Sequence, residues 1–434
     1  MTTLEHRLVL PADHPQRLEL NDEVHARPPE KLSAPLRLTY LALLSDASTR
    51  DAEWRAVVEL ATRHGVAPPV AGANHFSADL GPYRLKWERH SEFSRYKVIV
   101  GGDFEAPFED AAHAPVLREW IAALPGQLLV ATRVALWRSP PGELDVDDLS
   151  ARYFDGNALV GGVIAGGAAT ALTDLRIHAD GYSRLVVHDQ GMTPRQAGRM
   201  VQRLLEIDTY RMLALLALPV SRALAPSLAR AEGELAEVTH ALTDADPSHE
   251  PQLLERLTRL EAEVERNQVQ TLYRFSAAAA YHELVQRRIT ELREEGQPGT
   301  QTFREFTERR LAPAMSTCRS TAARLEALSQ RVGRASQLLS TRIEVTREQQ
   351  NQQLLESMDR RAELSLHLQS TVEGLSVAAV TYYVVGLVGY LAKGLHELGL
   401  PFDPVVLTAV SIPVVAVAVA LGIRRIKRMV HARA

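Results

Sequence analysis

Two uncharged stretches near the C-terminus constrain this chain more than any other feature. Leu375 to Ala392 reads LSVAAVTYYVVGLVGYLA and Pro404 to Ile423 reads PVVLTAVSIPVVAVAVALGI, with no Asp, Glu, Lys, Arg or His in either. Each is about long enough, as a helix, to cross the hydrocarbon layer of a bilayer. Helices without a polar face must be buried in a core or in lipid, and the tyrosines Tyr382, Tyr383 and Tyr390 with the charged flanks favour lipid. The expected arrangement is a transmembrane hairpin, with helices over 371–393 and 404–423, a short external loop over 394–403 and a basic tail over 424–434. Basic residues set its direction, because translocation disfavours Lys and Arg close to a span. Arg424, Arg425, Lys427, Arg428 and Arg433 crowd the tail, Arg360 and Arg361 precede the first span, and the tip from Lys393 to Asp403 holds only Lys393. Both termini and the soluble region are therefore expected in the cytoplasm, and in a bacterial cell the membrane is the inner one. The N-terminal MTTLEHRLVLPADHPQR has no uninterrupted apolar core behind a basic start, so no secretory signal is read there.

The remaining chain falls into two zones. Residues 1–191 are punctuated by Pro28-Pro29, Pro68-Pro69, Gly81-Pro82, Gly101-Gly102 and Pro140-Pro141, and read as an α+β soluble domain. Strands are expected at Arg84 to Arg89, Tyr96 to Val100, Gln127 to Trp137, Leu159 to Ala165, Ala171 to His178 and Arg184 to Val187. Helical spacing marks Ala52 to His64 and Pro115 to Leu124, which would cover at least one face of the sheet. Residues 192–370 are expected to form long antiparallel, coiled helices. One starts at Thr193-Pro194 and should bend or break at Pro219 and Pro226; a second runs from about Pro251 to Glu295 and ends at Gly296-Gln297-Pro298-Gly299. From Pro313 onward no proline interrupts the chain before the first span. One helix of about eighty residues would extend ~120 Å, longer than any single core can cover, and the polar run Arg347 to Gln353 points to water or other subunits. A homo-oligomer is expected.

Composition narrows the functional classes. The net charge of -4 gives no reason for a nucleic-acid partner, and the single cysteine, Cys318, excludes an intrachain disulfide and multi-cysteine metal sites.

The stretches NDEVHARP (Asn21 to Pro28), KWERHSEF (Lys86 to Phe93) and TVEGLSVAAVTYYVVGLVGYL (Thr371 to Leu391) resemble a bacterial family of predicted membrane-anchored proteins of unknown function, over essentially the whole chain. In plan the chain also resembles the CorA-type magnesium channels: an N-terminal α/β domain, long helices, a very long helix entering the membrane, a short external loop, a second span and a basic tail. That resemblance implies a pentamer whose first span lines a cation pore. Its Gly-Met-Asn hallmark is not intact: Gly386-Leu387-Val388-Gly389 keeps the glycine spacing, but Tyr390 and Leu391 stand where Met and Asn would be.

Candidate residues divide between the span and the soluble domain. Gly386, Gly389 and Ala392 give the first span one small face, suited to close helix packing or to a pore, and Ser376, Thr381 and Tyr390 would join them in a pore for a divalent or monovalent cation. With no internal Asp, Glu, Lys, Arg or His in either span, a coupled transporter has no proton relay, and the leading alternative to a channel is a non-conducting anchor or scaffold. Asn21, Glu23, His25 and Arg27 would face one way if extended, as a ligand or subunit contact. Trp87, Glu88, Arg89, His90 and Glu92 fit a hairpin with cross-strand charge pairs. Gly161, Gly162, Gly166 and Gly167 lack the spacing and the lysine of a phosphate loop and read as close strand packing. His178 and His188 flank a turn at Asp180-Gly181, two histidines with no third ligand in view. No catalytic constellation, resident metal site or cofactor site is expected.

Overall fold

The computed structural model describes residues 12–25, 28–108, 115–138, 144–244, 246–397, 401 and 403–431. The chain divides into two compact units: residues up to Thr243 group with Glu255–Ala335, and Asp244–Leu254 group with the chain from Ser336 onward.

The first unit is built on nine strands: β1 (Leu36–Leu44), β2 (His75–Asp79), β3 (Arg84–Arg89), β4 (Phe93–Gly101), β5 (Gln127–Arg138), β6 (Val160–Ile164), β7 (Ala169–Thr173), β8 (Ser183–Asp189) and β9 (Glu295–Gly296). They form one mixed sheet in the order β2-β3-β4-β1-β5-β8-β7-β6-β9, in which only the β5–β8 pair is parallel. The helices are α1 (Arg17–His25), α2 (Arg50–Arg63), α3 (Pro115–Ala122), α4 (Val146–Tyr153), α5 (Pro194–Leu215), α6 (Ala217–Asp244), α7 (Glu250–Leu292), α8 (Phe303–Glu397) and α9 (Pro404–His431). This is the expected α+β domain followed by long helices.

Strand alternation sorts the core into two faces. Leu36, Leu38, Tyr40 and Ala42 of β1 join a cluster with Met200, Leu204 and Ile207 of α5, Val285 and Ile289 of α7, and Phe303, Leu311 and Met315 of α8. Leu41 and Leu43 of β1 pack on the opposite face with Leu85, Trp87, Tyr96 and Val98, beneath Val57 and Leu60 of α2 and Leu117 and Trp120 of α3. A smaller cluster sets Leu149 of α4 and Phe154 against Ala135, Leu172 and Val186. Helices therefore cover both faces.

The compact unit runs on past residue 191, because α5, α7 and the start of α8 supply one wall of its core. The turn between α7 and α8 also adds β9 to the sheet edge: Gly162 pairs with Gly296 and Val163 with Glu295, and the Gly161 amide donates to the Gln301 carbonyl at 2.8 Å. A Cβ on Gly161 would lie 1.9 Å from the Ala171 carbonyl oxygen, and one on Gly162 would lie 2.3 Å from that of Glu295. The glycine-rich stretch is thus a close-packed strand that leads into the β6–β7 turn.

Helix ends follow their local chemistry. Thr193 and Gln196 form a reciprocal capping box with Pro194 in the first turn of α5. Pro219 lies in the first turn of α6, and the chain breaks between α5 and α6 at Leu216, whereas Pro226 sits inside α6 without ending it. The helix that enters the hydrophobic stretch begins ten residues earlier than the proline pattern implied, at Phe303, because Thr302 and Glu305 cap it reciprocally and Pro313 is accommodated within it. Ion pairs Arg230–Glu263 and Arg324–Glu232 and the Ser221–Thr321 hydroxyl bond at 2.8 Å join α6 to α7 and α8.

In the second unit, Glu250 at the start of α7 is 1% exposed and binds Arg342 of α8 at 2.6 Å. Leu354, Met358, Leu364, Leu368, Val372 and Leu375 of α8 are all exposed, and at 100° per residue they fall within about one third of the helix circumference. Asp403 accepts from the Val405 amide at 2.9 Å, and Pro404 opens α9.

Candidate functional site

Among the described residues, three helical segments are long and apolar enough to cross a membrane: Pro194–Thr243, Phe303–Glu397 and Pro404–Ile426. Burial separates them. In the first, 33% of the most apolar window is buried in the unit that α5 and α6 help to build, against 17% and 0% in the other two. Val380, Tyr382, Leu387, Leu391, Val406, Val410, Val414 and Leu421 are exposed, a surface that water would penalise and lipid would accept.

A groove of about 1050 Å³ runs between α8 and α9. It gathers Thr381, Gly386, Gly389 and Tyr390, four of the six residues singled out for the first span, with Tyr383, Thr408 and Ile412. Gly389 is the contact point, since a Cβ there would lie 3.3 Å from the Thr408 hydroxyl, while Gly386 faces open space. Ala392 is buried, Ser376 is exposed and outside the groove, and the Thr381 hydroxyl is enclosed without a hydrogen-bond partner among the described residues.

The soluble candidates fare differently. Asn21, Glu23 and His25 lie on α1, not in an extended segment, so residues two apart do not share a face; the Asn21 side chain is exposed beside Asp22. The Glu23 and His25 side chains and all of Arg27 lie outside the described residues. His178 is held between Asp155 at 2.9 Å and Asp174 at 3.0 Å. His188 is buried on β8, which pushes its pKa down, and its ring contacts Gln190 at 3.4 Å. Among the described residues no group of three His, Cys, Asp or Glu side chains has the geometry of a metal site.

The strongest polar constellation grows from KWERHSEF. In β3, Leu85 and Trp87 enter the core beneath α2 and α3, so alternation sends Lys86 and Glu88 to the other face; in β4 it sends Arg95 and Lys97 to the same side. Such a pattern reads as one wet face of an antiparallel pair. Here that face is covered, and Lys86, Glu88, Arg95 and Lys97 are each at most 4% exposed. Glu88 binds Arg95 at 2.6 Å and Lys86 at 3.3 Å, with Lys97 at 3.8 Å. Arg95 continues to Glu206 of α5 at 3.1 Å, Glu206 to Arg288 of α7 at 2.5 Å, Arg288 to Glu291 at 3.0 Å, and Glu291 to Arg203 at 2.9 Å. Lys86 also donates to the Pro28 carbonyl at 2.5 Å and lies 3.8 Å from Glu30, so the segment after NDEVHAR closes the network's other end. At the hairpin turn, Glu92 accepts from Arg274 of α7 at 2.6 Å, and Arg89 binds the buried Glu53 at 3.1 Å.

Electrostatics make this network uneven. Burial alone would raise the Glu88 carboxyl, but Arg95, Lys97 and Lys86 hold it down at about 2. Burial, and then the neighbouring Arg95, push Lys97 down to about 7 against the pull of Glu88. An amine poised near neutrality can act as a base where substrate reaches it, but Lys97 is only 4% exposed, enclosed with Glu88 and Arg95. Its geometry suits conformational coupling between strand pair and helices.

The fold defines an α+β unit carried on long helices that end in two apolar helices. The chain belongs to the family described as "Protein of unknown function (DUF3422)", which matches residues 12–430. A comparison with curated proteins finds no match, and a comparison with solved structures finds none.

Proposed function

We propose that this chain is a membrane-anchored homo-oligomer of CorA-like plan, seated in the bacterial inner membrane by the α8–α9 hairpin, with the α+β unit and both termini cytoplasmic. The observation that carries this reading is the exposed apolar stripe of α8, Leu354, Met358, Leu364 and Leu368, which runs on through Val372 and Leu375 into the apolar segment, with Leu355 and Leu366 exposed outside it. Such a seam is stable in water only when copies pack along it. Its activity on this reading is to hold the cytoplasmic units together at the membrane, as a scaffold whose buried charge network fixes their conformation.

Cation passage is the second reading, supported by a groove that holds the Thr381 hydroxyl, enclosed without a partner among the described residues, and the open face of Gly386. Tyr390 and Leu391 in place of a polar entrance weigh against it. Native mass in mild detergent tests the assembly: several copies are expected, and Met358→Glu with Leu368→Glu should release monomers. A wild-type chain that is monomeric in detergent and in vesicles contradicts both readings. Vesicles carrying the assembled protein and a trapped ion-sensitive dye separate them, since a scaffold passes no monovalent or divalent cation.

A further inference from the structure

A cavity of about 400 Å³ opens where the first half of α5 meets the last turn of α7 and the tip of the β6–β7 turn. Its lining is Ala165, Gln196, Arg199, Met200, Arg203, Thr290, Glu291 and Arg293, so three guanidinium groups face one carboxylate. That carboxylate is already engaged, because Glu291 binds both Arg203 at 2.9 Å and Arg288 at 3.0 Å. Arg199 and Arg293 have no ion-pair partner among the described residues. Arg293 holds a backbone φ of +52°, a conformation that L residues disfavour, and the turn that imposes it brings its side chain to the cavity. The capping box fixes Gln196, and the N-terminal end of α5 adds the positive end of the helix dipole.

We infer that this cavity binds a small phosphorylated molecule. Guanidinium groups from α5 and from the turn after α7 match the several oxygens of a phosphate through charge-assisted, paired hydrogen bonds. The volume lies within the range of small-ligand pockets and exceeds what a lone phosphate fills, and Met200 with Ala165 supplies an apolar wall for a non-phosphate portion. Arg203 is also the outer end of the chain Glu291–Arg288–Glu206–Arg95–Glu88. A phosphate on Arg203 competes with Glu291 for it, so occupancy is linked to the buried network. The site lies wholly within the α+β unit and does not depend on the membrane reading.

Calorimetry on the full chain in a neutral detergent, with inorganic pyrophosphate as the probe, tests this. Wild type should bind, and Arg199→Gln and Arg293→Gln should each weaken binding by about tenfold or more, the scale of one lost charged hydrogen bond. Arg195→Gln, on the same helix but outside the cavity, should leave binding unchanged, and Glu291→Gln should tighten it by freeing Arg203. Arg293→Lys controls for folding, since it keeps both the charge and the backbone requirement. Vesicles of phosphatidylglycerol form a second arm, because a lipid headgroup offers the same phosphate chemistry. Failure of wild type to bind pyrophosphate, or equal loss in Arg195→Gln, overturns the inference. Arginine-dependent response to the vesicles without pyrophosphate binding overturns the soluble ligand in favour of lipid.

Discussion

At the scale of single residues, the buried charges make the sharpest claims. Glu88 is surrounded by Lys86, Arg95 and Lys97, so Glu88→Gln leaves buried cations without their counter-ion and should cost about 3–5 kcal/mol in urea unfolding. Full retention of stability would mean the network relaxes into water. Lys97 gives a pH signature. Its folded pKa of about 7 lies below its ordinary 10.5, so between those values the unfolded chain binds more protons and stability rises with pH. Wild type should therefore gain up to ~1.4 kcal/mol per pH unit above pH 7 relative to Lys97→Met, which lacks the group. Parallel pH profiles for the two proteins would show that Lys97 titrates as an exposed amine. None of this was legible in KWERHSEF, where Trp87, Glu88, Arg89, His90 and Glu92 marked only a hairpin with cross-strand charge pairs. The face that carries Glu88 is dry only because Glu206 and Arg288, far away in sequence, come down on it.

At the scale of elements, the sequence reading succeeded where the pattern is local. The β3–β4 hairpin, β5, β6, α2 and the continuity of α8 all follow from alternation, helical spacing or the absence of proline. It missed β1, the strand between β4 and β5, because LRLTYLALL is leucine-rich, almost without β-branched residues, and buried on both faces. Alternation is invisible in such a run. The β9 edge was also missed, since two residues in a turn become a strand only through β6. A boundary at 191 followed from the change to helical spacing, yet α5, α7 and α8 complete the core. A fragment ending at Gly191 should accordingly aggregate, while one ending at Ala335 should be soluble and unfold cooperatively. Comparable solubility and cooperativity would place the core's stability in the sheet alone. Gly162→Ala probes the same join, because its Cβ meets the Glu295 carbonyl, and a loss of about 2 kcal/mol or more is expected on thermal unfolding.

At the scale of the whole molecule, two apolar helices leave most of their surfaces uncovered among the described residues. The two apolar helices were legible because composition alone marks them, and helical spacing put Gly386 and Gly389 on one face, where both line the groove with Thr381 and Tyr390. The central claim is that α8 and α9 cross a membrane as a hairpin with both chain ends on the cytoplasmic side. Single cysteines at His396, in the last turn of α8, and at Arg425, in α9, test it directly; native Cys318 is buried and should stay silent. In intact bacterial cells an impermeant maleimide should label His396→Cys at once and Arg425→Cys only after the membrane is permeabilised. Labelling of both in intact cells, or of neither until permeabilisation, would contradict the hairpin.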